Sequence, residues 1–337
     1  MARIRLGLIG CGGMSKSHLR RFHLLAPRLQ LAAAVDTEAE KAREVADHVD
    51  GVRPATDYRD ILDDIDAALI ALPHHLHHPV AKACLQAGKH VLLEKPMANS
   101  EAECLDLIDT AAAAQRTFMI AYCMRFHPLV VAMKKLLDEE AYGEVFQVSI
   151  WTEQLTRREP DNWMCKAATL GGGQLFSHGC HYIDILLWYL GKPLSGTHVG
   201  TNLGTPWMEW EGTSNVSMQF EGGKLGYHFG TWGARGTRLR YSFHAHCTEG
   251  MIEADIQDHR LIAHAGGEEK VLLEIEPGGK HTENEMIHFL DCIESGQRPL
   301  TDGRGSLQGL RVIWKLYEAE CQGVVADLSG LGLDAVE

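Results

Sequence analysis

A glycine-rich turn between a strand and a helix opens the chain and constrains most of what can follow it. Ile4–Ile9 reads as a short apolar strand, and residues 13–25 as a helix with Leu19, Phe22 and Leu25 along one side. Between them stands Gly10-Cys11-Gly12-Gly13-Met14-Ser15, a G-x-G-x-x-S pattern. Gly10 permits a tight turn, Gly12 lets a pyrophosphate approach the backbone, and Ser15 is compact enough for close helix–strand packing. The helix start at Gly13 and Met14 then offers N–H groups and the positive dipole end to the phosphates. Glycine turns of this kind are common, so the pattern alone is weak. Here it is joined by Asp36, at the end of residues 31–35, which read as the second strand. A carboxylate about 20 residues after the turn accepts from a ribose 2′-hydroxyl and repels a 2′-phosphate. Thr37 follows it, where NADP enzymes often carry an arginine. NAD is therefore expected rather than NADP. Asp36 also stands where it can cap the helix beginning near Glu38, and the two roles are compatible.

Up to about residue 120 the pattern alternates strand and helix. Helices are expected at 38–48, 58–62, 77–87 and 100–114, the last with Ser100 and Glu103 at capping-box spacing. Strands are expected at 66–72, 90–93 and 117–122. Such alternation implies a doubly wound parallel sheet, a Rossmann domain over residues 1–123. Beyond Pro128 the grammar changes. After a helix at 129–138 and a strand at 145–152 come a Gly-rich break and an apolar helix at 174–190. Strand-like stretches follow at 214–220, 224–232, 238–248, 250–255 and 271–275, then helices at 283–295 and 306–322. Residues 124–337 therefore read as an α+β domain on a large, mostly antiparallel sheet. A chain of 337 residues is longer than one core usually organises, which fits two domains.

Further motifs appear in order: Pro73-His74-His75-Leu76-His77, Glu94-Lys95-Pro96, and Gly171-Gly172-Gly173 followed by His181-Tyr182-Ile183-Asp184. With the nucleotide turn, these resemble the glucose–fructose oxidoreductase/inositol dehydrogenase/rhizopine catabolism (Gfo/Idh/MocA) family over nearly the whole chain. The resemblance implies NAD(P)-dependent oxidation or reduction at a carbinol carbon of a sugar, cyclitol or related compound. It also implies a homodimer or homotetramer assembled through the C-terminal sheet. Lys95 and His181 are the catalytic candidates. An ammonium after a strand end can stabilise a developing alkoxide, and an imidazole can take or return the hydroxyl proton. Leu72, Pro73, His74, His77 and Glu94 are expected at the cofactor, with His77 bordering the nicotinamide ribose and His74 standing where relatives often have Asn. Ser177, His181 and Asp184 are spaced i, i+4 and i+7 on one expected helix face. Ser177 stands where inositol dehydrogenases commonly carry Asp, so a carboxylate's charge is missing from that place. His178 and Asp184 are expected near the substrate, as are Tyr122 and Arg125 at the passage between domains. In the loop ahead of the glycines, Arg157 suits an anionic group and Trp163 a sugar face; Met164 replaces an arginine common in relatives.

The histidine run of residues 74–78 has no acidic or cysteine partner at metal-ligand spacing, so no metal is expected. A net charge of −13 argues against nucleic acid, and no apolar run is long enough to span a membrane. Nine cysteines without C-x-x-C spacing read as reduced thiols of a cytoplasmic protein. Two other activities share these motifs: an NAD-recycling glycoside hydrolase of the same family, and a nucleotide-binding sensor without turnover. A sensor has no need of Lys95 and His181.

Overall fold

The computed structural model describes residues 3–334. The chain forms two compact units. One comprises the chain up to Cys123 together with Gly279–Arg304; the other comprises Met124–Gly278 and the chain from Gly305 onward. The chain first passes between units where the sequence changes grammar. The return of Gly279–Arg304 to the first unit departs from the expected division at residue 123.

The first unit is built on a six-stranded sheet in the order β3-β2-β1-β4-β5-β6. Its strands are β1 (Ile4–Ile9), β2 (Leu29–Val35), β3 (Arg53–Ala55), β4 (Ala67–Ile70), β5 (His90–Glu94) and β6 (Phe118–Ala121). Every pair is parallel. All four residues of β4 and of β6 are buried, as strands covered on both faces should be. The helices are α1 (Gly13–Leu19), α2 (Ala39–His48), α3 (His77–Gln86) and α4 (Glu101–Ala114). Ser100 caps α4 by accepting from Glu103 N–H at 3.3 Å. Glu103 bonds back to Asn99 N–H at 3.1 Å, one residue earlier than a standard capping box.

Two expected helices are corrected. The first ends at Leu19 rather than near Leu25, and Phe22–Leu25 forms a 3₁₀ turn. Arg21 leaves helical geometry there, and its guanidinium bonds Glu283 at 2.5 Å, a partner invisible to local periodicity. Tyr58–Asp64 is also 3₁₀, started by Asp57 accepting from Arg59 N–H.

In the second unit α5 (Pro128–Asp138) precedes β7 (Val145–Glu153), and α6 (Ala167–Leu170) leads to a π-helical turn, Leu175–Gly179, running into α7 (Cys180–Leu190). The expected single α-helix over 174–190 is thus two kinds of helix. Then come β8 (Pro193–Thr201), β9 (Thr213–Phe220), β10 (Leu225–Thr231), β11 (Tyr241–Cys247), β12 (Gly250–Asp255), β13 (Arg260–Ala265), β14 (Glu268–Glu274) and, late in the chain, β15 (Ala326–Asp327). They form one nine-stranded sheet, β14-β13-β12-β11-β7-β10-β9-β8-β15, antiparallel except where β7 meets β10. β8, β13 and the two-residue β15 were not anticipated. Pro193, Gly196 and Gly200 dilute the strand signal of β8, while β13 is a buried Leu-Ile-Ala run without alternation. The strand expected from residue 238 begins only at Tyr241, because Arg240 has a φ of +51°.

The returning segment carries α8 (Thr282–Ser295) and the first two residues of α9 (Gly303–Gln322). Ile120 N–H donates to Thr301 O at 2.9 Å, and the Thr301 hydroxyl donates to Ile120 O at 2.7 Å. Thr282 bonds Ser17 O, and Arg28 pairs with Asp291 and Glu294. These bonds tie it to β6, α1 and the residue just before β2.

Candidate active site

In the first unit the parallel register gathers the candidates at one sheet edge. Ile9 lies level with Val35 and Ile70, Ile70 with Leu93, and Leu93 with Ile120. The turn after β1, Asp36 after β2, Leu72-Pro73 after β4, Lys95 after β5 and Tyr122 after β6 therefore follow aligned C-terminal strand ends. That is the edge where open parallel sheets bind ligands.

The turn has room for a pyrophosphate. Gly10 has a φ of +95°, and a Cβ there would lie 2.2 Å from Ala71 O, so only glycine fits. At Gly12 and Gly13 a Cβ would meet no heavy atom within 4 Å, leaving the backbone open on that side. Ser15 is buried and donates to Gly12 O at 2.5 Å, which explains the tolerance of serine at the third small position. Asp36 accepts from Cys11 N–H and Glu38 N–H, both at 3.0 Å. Its carboxylate is thus fixed between the turn and the start of α2, with an acceptor lone pair left on each oxygen. The residues fit a bound NAD.

Lys95 is half-buried, and its peptide to Pro96 is cis. His77 is fully buried, with Nδ1 2.7 Å from Pro96 O and Nε2 2.9 Å from Leu72 O. Burial holds this imidazole below the ordinary histidine pKa although both carbonyls favour its charged form. A neutral ring carries one N–H, so it donates to one carbonyl at a time. The resemblance placed His77 beside the nicotinamide ribose; the structure makes it a buried brace between the Leu72 and Pro96 backbones. His74, also buried, has its ring 5.5 Å from that of His77. Tyr122 is 1% exposed. Among the described residues no group of three His, Cys, Asp or Glu is arranged for a metal ion.

Glu94 is buried, with Oε1 2.8 Å from His18 Nε2 and Oε2 accepting Lys95 N–H at 3.2 Å. Burial opposes its ionisation, yet His18 and, less strongly, Lys95 and Lys280 hold it at about 2. It is a carboxylate at any physiological pH.

In the second unit the Gly-Gly-Gly run docks on Glu211. A Cβ at Gly173 would lie 1.9 Å from Glu211 Oε2, and the Leu175 N–H donates to Oε1 at 3.2 Å. Tyr317 donates to the same oxygen at 2.7 Å and accepts from Gly173 and Phe176 N–H. Burial, outweighing these bonds, raises Glu211 to about 7. Ser177 and His178 lie in the π turn, while His181 and Asp184 lie on α7. All four are buried. The expected i, i+4, i+7 positions thus run from a π turn into an α-helix, and the angular step changes before Cys180. Short π segments often occur at functional sites.

His178 is held by neighbours: its Nε2 is 3.0 Å from Tyr241 Oη and 3.4 Å from Tyr182 Oη. Its ring stands edge-on to that of His181, centroids 6.2 Å apart. Asp184 and Arg125, both expected to meet substrate, instead form a buried pair with Nε 3.4 Å from Oδ2. Arg125 also stacks 4.2 Å over Trp188. Burial raises the Asp184 pKa and Arg125 opposes the rise. Trp163 packs on a cluster of Cys165, Leu170, Met208 and Trp232, so much of its face is committed to packing. Arg157 is exposed, 5.8 Å over the Trp207 ring.

Sequence reading missed His18, Glu285, Tyr241 and Glu211. His18 had a signal, since it lies three residues after Ser15 and both are the buried residues of α1. The others reach their partners only through long-range topology.

Residues 4–122 match the family description "Oxidoreductase family, NAD-binding Rossmann fold", and residues 130–253 match "GFO/IDH/MocA C-terminal domain". Inositol 2-dehydrogenase 2 of Saccharopolyspora erythraea is 27% identical, over 66% of this chain and 65% of the relative. Levoglucosan dehydrogenase of Pseudarthrobacter phenanthrenivorans is 30% identical, over 57% and 52%. The chain thus spans less than two thirds of either relative's length in these matches. The crystal structure of an aldose-aldose oxidoreductase from Caulobacter crescentus complexed with glycerol superposes with a TM-score of 0.86 at 25% identity, covering 97% of this chain and 100% of that one.

Proposed function

Because the chain belongs to the Gfo/Idh/MocA oxidoreductase family, we propose that it transfers a hydride between NAD and a hydroxyl or keto carbon of a sugar, cyclitol or related carbohydrate. The observation that carries this reading is the sheet edge itself, where Gly10–Ser15, Asp36 and Lys95 follow aligned strand ends. Bound NAD supplies the hydride acceptor for an alcohol, or as NADH the donor for a ketone. In this reading Asp36 accepts from the adenosine ribose hydroxyls. Lys95 donates to the reacting oxygen and stabilises negative charge building on it. His181 takes the hydroxyl proton during oxidation and returns it during reduction. Ser177 and His178 contribute hydrogen-bonding groups to the substrate side.

None of the nine cysteines is joined in a disulfide, which supports a reducing, cytoplasmic location. Among the described residues no helix is long and apolar enough to cross a membrane. The large sheet has α7 against one face, where a Cβ at Gly226 would meet Leu186 and Leu190. The opposite face presents Trp151, Leu225, Tyr227 and Phe229 at least partly exposed. That aromatic face supports self-association into a dimer or tetramer.

The test is a screen of sugars, cyclitols, glycosides and sugar acids for NADH formation. A hit yielding ketone and NADH in equal amounts supports the dehydrogenase. Cleavage of a glycoside without net NADH supports NAD recycling, and tight binding without product supports a sensor.

A further inference from the structure

We infer that Glu285 is a positioning residue for Lys95, acting through His18 and Glu94. Glu285 comes from α8, in the segment that returns to the first unit, and its side chain is fully buried. Neither of its carboxyl oxygens has a hydrogen-bond partner within normal distance. Oε1 faces His18 Nδ1 at 3.8 Å, and that nitrogen likewise lacks a partner. The other ring nitrogen of His18 meets Glu94 Oε1 at 2.8 Å, and the second Glu94 oxygen accepts Lys95 N–H at 3.2 Å. Four groups thus form a line from α8 to the backbone of Lys95, with one gap of about an ångström to close.

Glu94 is ionised, so the His18 Nε2 facing it carries a hydrogen and donates. In a neutral ring Nδ1 is then an acceptor. A protonated Glu285 can donate to it; an ionised one cannot, and would put a second negative charge near Glu94. Burial, and then the Glu94 charge, raise the Glu285 pKa well above the usual carboxylate range, with Lys280 opposing. The other groups coupled to this cluster are Cys123 after β6 and Lys95 itself. Lys280, on the loop before α8, has Nζ 3.8 Å from Met14 Sδ at the nucleotide turn. A Glu285 O–H facing Nδ1 would thus fix the His18 ring that meets Glu94, and through Glu94 the backbone of Lys95. Leaving two buried polar groups unanswered would cost stability, so the contact has a physical reason to close.

This inference rests on Lys95 meeting the reacting oxygen, and two variants test it. Glu285→Gln keeps the shape and an N–H donor; Glu285→Leu keeps the bulk and loses the donor. With a turned-over substrate, Glu285→Leu should lower kcat about 10-fold or more while the NAD KM changes less than threefold. Glu285→Gln should retain at least a third of kcat. Ionisation of Glu285 removes a donor, so wild type should lose kcat along an alkaline limb that Glu285→Gln lacks. Wild-type kcat in Glu285→Leu, equal loss in both variants, or an unchanged alkaline limb in Glu285→Gln would each overturn the assignment. A readout without turnover separates this from failure of the proposed reaction: the ¹³Cε signal of Lys95 in lysine-labelled protein, assigned with Lys95→Met. It should move in Glu285→Leu and stay near wild type in Glu285→Gln. An unmoved Lys95 signal in a folded Glu285→Leu protein would also overturn it.

Discussion

The sheet edge of the first unit and the π–α7 segment of the second present their chemistry in different ways. At the edge each candidate follows a different strand, and parallel register aligns the strand ends that precede Gly10, Asp36, Leu72 and Lys95. Along residues 175–190 the candidates share one stretch of chain, yet their surroundings come from far away. Tyr241 from β11 meets His178, and Arg125 after β6 neutralises Asp184. Neighbours in sequence are thus less informative about a site than strand ends in a regular sheet. A substitution at the edge should report on cofactor chemistry, and one in the helix on partners that no motif names.

The largest effect should come from the edge. Lys95→Met should lower kcat by roughly 10²–10⁴-fold while NAD affinity changes little. Near-normal turnover would make Lys95 a structural residue and leave the edge a binding surface only. In the helix, His181→Ala should cost about 10²-fold or more in kcat. Ser177→Ala should cost about fivefold, the worth of one hydroxyl contact. Equal damage from the two would show that the π turn and α7 act as one proton path, erasing the contrast between local and distant partners. At the edge again, NAD should bind more tightly than NADP, and Asp36→Ser should narrow the gap by removing charge repulsion. Tighter NADP binding in wild type would show that Asp36 only fastens Cys11 and Glu38 N–H.

The smallest effect belongs to the second unit's anchor. Glu211 rises from an ordinary value of 4.5 to about 7 on folding. A raised carboxyl favours folding while protonated, so its contribution is complete below pH 4.5 and is lost as pH rises through about 7. Glu211→Gln should flatten the thermal-stability profile over that range. An unchanged slope would place the titrating group elsewhere.

The legible part of the molecule was the part governed by short-range rules. The turn after β1 was readable because Gly10 alone satisfies a positive φ and a 2.2 Å approach to Ala71 O. Ser100 was readable as a cap because capping spans three residues. Where competing partners lie far along the chain, the reading failed. Arg21 breaks the first helix to reach Glu283, β13 hides as a buried run without alternation, and Asp184 turned out to be paired with Arg125. His77 was singled out as a residue bordering the cofactor; it is fully buried and braces two backbones, Leu72 and Pro96. No spacing rule distinguishes a buried histidine from one that touches a ligand.

We propose hydride transfer between NAD and a hydroxyl or keto carbon of a carbohydrate, with Lys95 at the reacting oxygen. The most direct measurement is NADH and product formed from a screened hit, compared between wild type and Lys95→Met at saturating NAD. Wild type should form one NADH per ketone, and the variant should be slower by about 10²-fold or more. A substrate cleaved or bound with no net NADH, or a variant that makes NADH at the wild-type rate, would contradict it.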